Sequence, residues 1–161
     1  MAALSANRPT QQYGGVPAGV VPERWYMPVE ANTTIYQGSL VEINAAGNAI
    51  PAAAATAGSV LGRSDQFVAN TTAAGFGAAA ALSVTVRQGA FLWDLASGAA
   101  LTKANFGQKV WAASDHEVDS NSHSAAAGMF MGLDTGTSLD SVAAPQAIVL
   151  TIGVGFFGTI T

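Results

Sequence analysis

The sequence predicts an all-β fold: a small β-barrel or sandwich of short antiparallel strands, with an extended N-terminal arm and little helix. Apolar and polar residues alternate with period two in one short segment after another. These segments recur at roughly ten-residue spacing and are separated by Gly, Asn and Ser turns. The alanine runs Ala52–Ala55 and Ala78–Ala81 favour helix by propensity, but each is short and lies among Gly, Thr or Pro. They read as turns or loops.

The elements follow in order. Met1–Arg24 contains Pro9, Pro17, Pro22, Gly14, Gly15 and Gly19 and few large apolar residues, so it reads as an arm without regular structure of its own. Residues 25–161 form the β-rich domain. Trp25, Met27 and Val29 alternate with Tyr26, Pro28 and Glu30; Val41 and Ile43 alternate with Glu42 and Asn44. Asn44–Asn48 is a turn. Leu82, Val84 and Val86 share one face. After Gly89 the parity changes to Phe91, Trp93 and Leu95, which predicts a bulge or tight bend at that glycine. Thr102 is placed to cap one helical turn through Phe106. Gly107–Ala113 is a strand carrying Val110 and Trp111, and Met129, Met131 and Leu133 mark another. In the last segment Ile148, Leu150, Ile152, Val154 and Phe156 fall on one parity, with Ala147, Val149, Thr151 and Gly153 on the other. That alternation predicts a strand continuing past Gly153, not a membrane helix.

Composition narrows the function. Charged residues are 10% of 161, against about 25% in ordinary soluble domains. A surface built from Ala, Gly, Ser, Thr and Asn repels its neighbours weakly and is easily covered by other chains, which points to assembly. Net charge is −4, and the six Lys and Arg residues are scattered along the chain. Nucleic-acid binding through phosphate neutralisation is not expected. The absence of cysteine excludes disulfides, thiolate metal sites and cysteine nucleophiles. Met1–Gly15 has no apolar signal core. The uncharged stretches Ile43–Gly62 and Gln66–Val86 are too weakly apolar to span a bilayer.

Catalytic chemistry is not expected. Gly153–Gly158 matches G-x-G-x-x-G, but only three residues follow, too few for the helix that would hold a pyrophosphate. Asp115, Glu117 and Asp119 alternate near His116, Asn121 and His123. They depart from a calcium loop at Ser120 and Ala126, so Ser114–Asn121 reads as a polar hairpin tip. The two histidines share one polar loop, a poor place to hold a triad base. Asn32-Thr33-Thr34 and Asn70-Thr71-Thr72 match a glycosylation sequon but read as turn residues. No enzyme, metal or cofactor is expected.

The order of segments resembles one family. Pro28–Val41 (PVEANTTIYQGSLV), Gly47–Ala52, Val60–Ser64, Ala81–Phe91 (ALSVTVRQGAF), Ala104–Trp111 and Gly128–Leu133 are similar to successive strand and turn motifs of the tailed-phage structural cement, or capsid decoration, proteins. The match runs from about Trp25 to Ile152 and rests on structural motifs, with no catalytic signature. The resemblance implies a non-enzymatic β subunit on the outer surface of an icosahedral head, assembled in the host cytoplasm. Its partners would be the major capsid protein and itself, as a homotrimer or alternatively a dimer. The arm and the apolar tail lie outside the matched region. Arg8, Tyr13, Val20 and Arg24 in the arm, and Phe156 and Phe157 in the tail, are the candidate contacts to neighbouring chains. A head-fibre base and a ligand-binding β-barrel are the alternative functions.

Overall fold

The computed structural model describes residues 3–10, 24–53, 58–123, 125–134 and 146–151. The all-β expectation holds: twelve strands and two single 3-10 turns make up the regular structure of these residues. They form two β bodies, one open and one closed.

The open body is a five-stranded sheet. It contains β1 (Arg24–Pro28), β3 (Leu40–Ile43), β4 (Ala49–Pro51), β5 (Ser59–Ser64) and β7 (Ser83–Arg87), in the order β1-β7-β5-β3-β4. Each neighbouring pair is antiparallel. Its two edge strands each carry a proline, Pro28 and Pro51, where a missing backbone donor is tolerated. A two-stranded ladder of β2 (Thr33–Ile35) and β6 (Val68–Asn70) accompanies it. One core cluster, with Val29, Ile35, Val41, Leu61, Val84 and Val86, belongs to this body.

The closed body is a barrel of β8 (Gly89–Leu95), β9 (Lys109–Ala112), β10 (Glu117–Asp119), β11 (Ala126–Asp134) and β12 (Gln146–Thr151). Its order around the ring is β10-β8-β12-β11-β9. The β10–β8 pair is parallel, a departure from the expected all-antiparallel pattern. Phe91, Trp93 and Phe130 fill the interior beside Ala112, Ala127 and Ala147. A five-stranded barrel is narrow, so alanine opposite an aromatic ring is what fits. Each buried aromatic or branched side chain contributes roughly 1.5–3 kcal/mol. Shifts of register in β11, between Ala126 and Gly128 and again between Phe130 and Gly132, bend the strand enough to close the ring.

The parity change at Gly89 marks the crossing between the bodies. Strand β7 ends at Arg87 in the open sheet and β8 begins at Gly89 in the barrel. Leu40 and Val60 of the open sheet pack into the barrel's cluster and join the two cores. The predicted helical turn is present as a 3-10 turn over Lys103–Asn105. Thr102 accepts from the Ala104 amide, and Asn105 Oδ1 accepts from the Thr102 amide at 2.8 Å.

Three expectations are corrected. Ser114–Asn121 does hold the turn of a hairpin, between antiparallel β9 and β10, but its polar residues Ser114, Asp115 and Asp119 are buried. Strand β10 closes the barrel there through fully buried Val118. Each carboxylate is met by donors: the Leu4 amide and His116 at Asp115, Asn121 and His123 at Asp119. Polarity in this segment satisfies buried turns instead of facing water. Asn70 is likewise buried; its amide donates to the carbonyls of Val29, Glu30 and Ala78 and accepts from the Gly77 amide. The third correction concerns the arm. Residues 3–10 lie against the chain's own β bodies, and Arg24 is the first residue of β1. The Arg8 amide donates to the Gln37 carbonyl at 2.8 Å, and Thr10 Oγ1 donates to the Gly38 carbonyl at 2.7 Å. A Cβ at Gly38, whose φ is +85°, would stand 2.0 Å from the Arg8 carbonyl oxygen, so only glycine admits this approach. The continuation of β12 past Gly153 lies outside the described residues.

Candidate interaction surface

The feature that stands out chemically is a row of three arginines across the open sheet. In the β1–β7 ladder Arg24 faces Arg87, and in the β5–β7 ladder Arg63 faces the same Arg87. Three neighbouring strands therefore place three guanidinium groups side by side. Close approach of β5 to β7 makes this register available. A Cβ at Gly62, with φ at +155°, would lie 2.2 Å from the Arg87 carbonyl oxygen.

One carboxylate sits among the three cations. Asp65 follows β5 directly, and its amide donates to the Thr85 carbonyl at 2.9 Å, which folds the loop back onto β7. Arg63 Nη2 donates to Asp65 Oδ1 at 2.7 Å. Arg87 donates through Nε at 2.9 Å and approaches through Nη2 at 2.8 Å, both toward Oδ2. Arg24 Nε is farther away, at 3.9 Å. Half of the chain's six basic residues thus meet at a single acid.

The three arginines are not equivalent. The Arg63 side chain is largely buried, its guanidinium 4.8 Å from the centre of the Phe91 ring, and Nη1 donates to the Thr10 carbonyl at 2.6 Å. It ties the open sheet to the barrel and to the N-terminal segment. Arg87 is mostly buried. Arg24 is the outer member, with its side chain 55% exposed. Two residues along the same strand face, Tyr26 is 75% exposed; on the opposite face, Trp25 is 41% exposed. The apolar face expected from Trp25, Met27 and Val29 is therefore buried only at its Val29 end, because β1 is the edge of the sheet.

Arg8 lies elsewhere. Its Nη1 and Nη2 donate to Asp94 Oδ2 and Oδ1, each at 2.7 Å, and Nη1 also reaches the His116 carbonyl. Its guanidinium is thus engaged within the chain, by Asp94 and the His116 carbonyl. Burial would raise the Asp94 pKa, but the hydrogen bonds from Arg8 and Gln146 and the Arg8 charge outweigh it and hold the carboxyl below its ordinary range. A shallow depression of about 330 Å³ lies between Asn7–Thr10 and Gln37, Gly38 and Arg63. Tyr13, Val20, Phe156 and Phe157 lie outside the described residues.

Among the described residues, no group of three or more His, Asp or Glu side chains is placed to hold a metal ion, and no helix is long and apolar enough to cross a membrane. The arginine row escaped the sequence reading. Period-two parity places Arg24, Arg63 and Arg87 on strand faces, but only pairing register brings them together. Comparison with family models, curated proteins and solved structures finds no match for this chain.

Proposed function

We propose that this protein is a structural cement, or decoration, protein that binds the outer surface of an icosahedral phage head and stabilises the major capsid protein lattice. The observation that carries the proposal is the rim of the open sheet, where an edge strand displays Arg24, Trp25 and Tyr26 to solvent. Aromatic and arginine side chains on one strand are the composition of a protein-contact surface. The low charge of the chain adds support, since a weakly charged surface is readily covered by neighbours. The resemblance of Trp25–Ile152 to cement proteins supplies the identity of the partner. In this reading each copy makes a modest contact, and the shell is stiffened by many copies acting together.

Heads prepared without the protein provide the test. Purified full-length protein should sediment with such heads, saturate at a fixed number of copies and raise the temperature at which they rupture. Heads that stay bare and equally fragile would overturn the proposal. Light scattering of the free protein at micromolar concentration should give a trimer mass, with a dimer as the alternative. A single species of 16.2 kDa would remove self-association from the proposal.

A further inference from the structure

The arginine row carries more positive charge than the fold uses. Among the described residues, three guanidinium groups face one carboxylate. Like charges directly opposite in a ladder oppose folding. Asp65 offsets the repulsion for Arg63 and Arg87, which hold its two oxygens at 2.7–2.9 Å. It does much less for Arg24, which is 3.9 Å away and more than half exposed; an exposed pair of that kind contributes about 0–1 kcal/mol. A glutamine at position 24 would keep the strand and remove the repulsion.

We infer that the Arg24 end of the row is a binding site for carboxylate side chains of a partner protein: a segment carrying two or more Asp or Glu residues, laid across β1 beside Tyr26. Asp65 shows within the chain how the row takes a carboxylate, one guanidinium to each oxygen. A second carboxylate arriving from outside would meet the Arg24 guanidinium at the solvent edge. The exposed ring of Tyr26, on the same strand face, supplies apolar contact next to the charge. A polyphosphate backbone fits less well, because it gains its affinity from many cations and this chain, with a net charge of −4, offers three in the row. The inference goes beyond the shell-binding proposal. It names the residues and the chemistry of the partner, and its test needs no phage head.

The probe is a capped hexaglutamate peptide titrated into the full chain, followed by shifts of the backbone and guanidinium NMR signals. At about 20 mM salt the signals of Arg24, Tyr26 and Arg87 should move with a saturable dependence, and at about 0.5 M salt the shifts should fade. Arg24→Gln should weaken binding roughly fivefold and Arg24→Glu should abolish it. Lys103→Gln, which removes an exposed cation off the row, should bind as the wild type does. The melting temperature of Arg24→Gln should stay within about one degree of the wild type, since its fold contribution is small. Undiminished binding by Arg24→Gln, or equal weakening by Lys103→Gln, would overturn the site. A drop of several degrees in Arg24→Gln would show the row to be structural. Tighter binding of polyphosphate than of hexaglutamate would overturn the carboxylate assignment.

Discussion

The barrel and the open sheet use the same kind of strand to opposite ends. In the barrel every strand has two neighbours, the interior holds Phe91, Trp93 and Phe130, and no edge is left exposed. In the open sheet the order β1-β7-β5-β3-β4 leaves two edges, and its core is built from branched aliphatic residues without a large ring. Each edge strand carries a proline, and the β1 edge also displays Arg24, Trp25 and Tyr26. Closing a sheet removes the backbone template that other chains pair with, whereas leaving it open preserves one. The barrel holds the large buried rings and the sheet holds the open edges, with Arg63, Leu40 and Val60 joining the two bodies.

The largest expected effect tests the barrel's core. Phe130→Ala empties the centre of a narrow ring and should cost about 3–5 kcal/mol in chemical denaturation. Val84→Ala in the sheet core should cost about 2 kcal/mol, the loss of two buried methyl groups with a small cavity. Equal costs would break the contrast between the two cores.

The next effect tests how the sheet tolerates its own charges. Asp65→Asn leaves Arg63 and Arg87 without their shared anion and should destabilise by about 1–3 kcal/mol. Adding Arg24→Gln to that variant should recover part of the loss, because one member of a like-charge row is gone. A double variant less stable than Asp65→Asn alone would show that Arg24 supports the fold.

Acid should act on both bodies. Glu30, beside the open sheet, is held below the ordinary carboxylate range by the Ala31 amide and then by Asn48 and Asn44. Asp94 and Asp119, in the barrel, are held low despite burial by Arg8 and Gln146, and by Asn121 and His123. A carboxyl whose folded pKa is depressed adds stability that is complete above the ordinary range. That stability is lost as pH falls through the range toward the lower folded values. Melting temperature should therefore decline as pH drops below about 4.5. A melting temperature unchanged between pH 5 and pH 3 would contradict these assignments. The smallest effect belongs to Thr102→Ala, which removes the cap of an exposed 3-10 turn and should cost about 0.5–1 kcal/mol.

Much of the fold was legible because strands advertise themselves locally. Val84 and Val86 are buried on one face as their alternation required, and the break in parity at Gly89 did mark where the chain passes from the open sheet to the barrel. Thr102 and its capped turn were readable for the same reason, since a cap involves residues within one turn. Asp115 and Asp119 misled because polarity was equated with exposure. Their donors include an amide 111 residues away, which no local pattern reveals. The N-terminal segment misled in a similar way. Residues 3–10 have no regular structure, as Pro9 and the few large side chains suggest, but their docking depends on Gln37, Gly38 and Asp94.

The sequence by itself determined the class of structure: short strands of period two, broken by glycine and proline. Local backbone preference and side-chain alternation suffice for that. The tertiary structure alone decided which strands became neighbours, and with that the closed barrel, the open sheet and the arginine row. Arg24, Arg63 and Arg87 are far apart along the chain. They meet because the ladders pair β1 and β5 with opposite edges of β7 in one register, and Gly62 lets the backbones approach closely enough to hold it. Register is a long-range choice among many pairings, made by the burial of Val84, Val86 and Leu61 together, so no single segment encodes it.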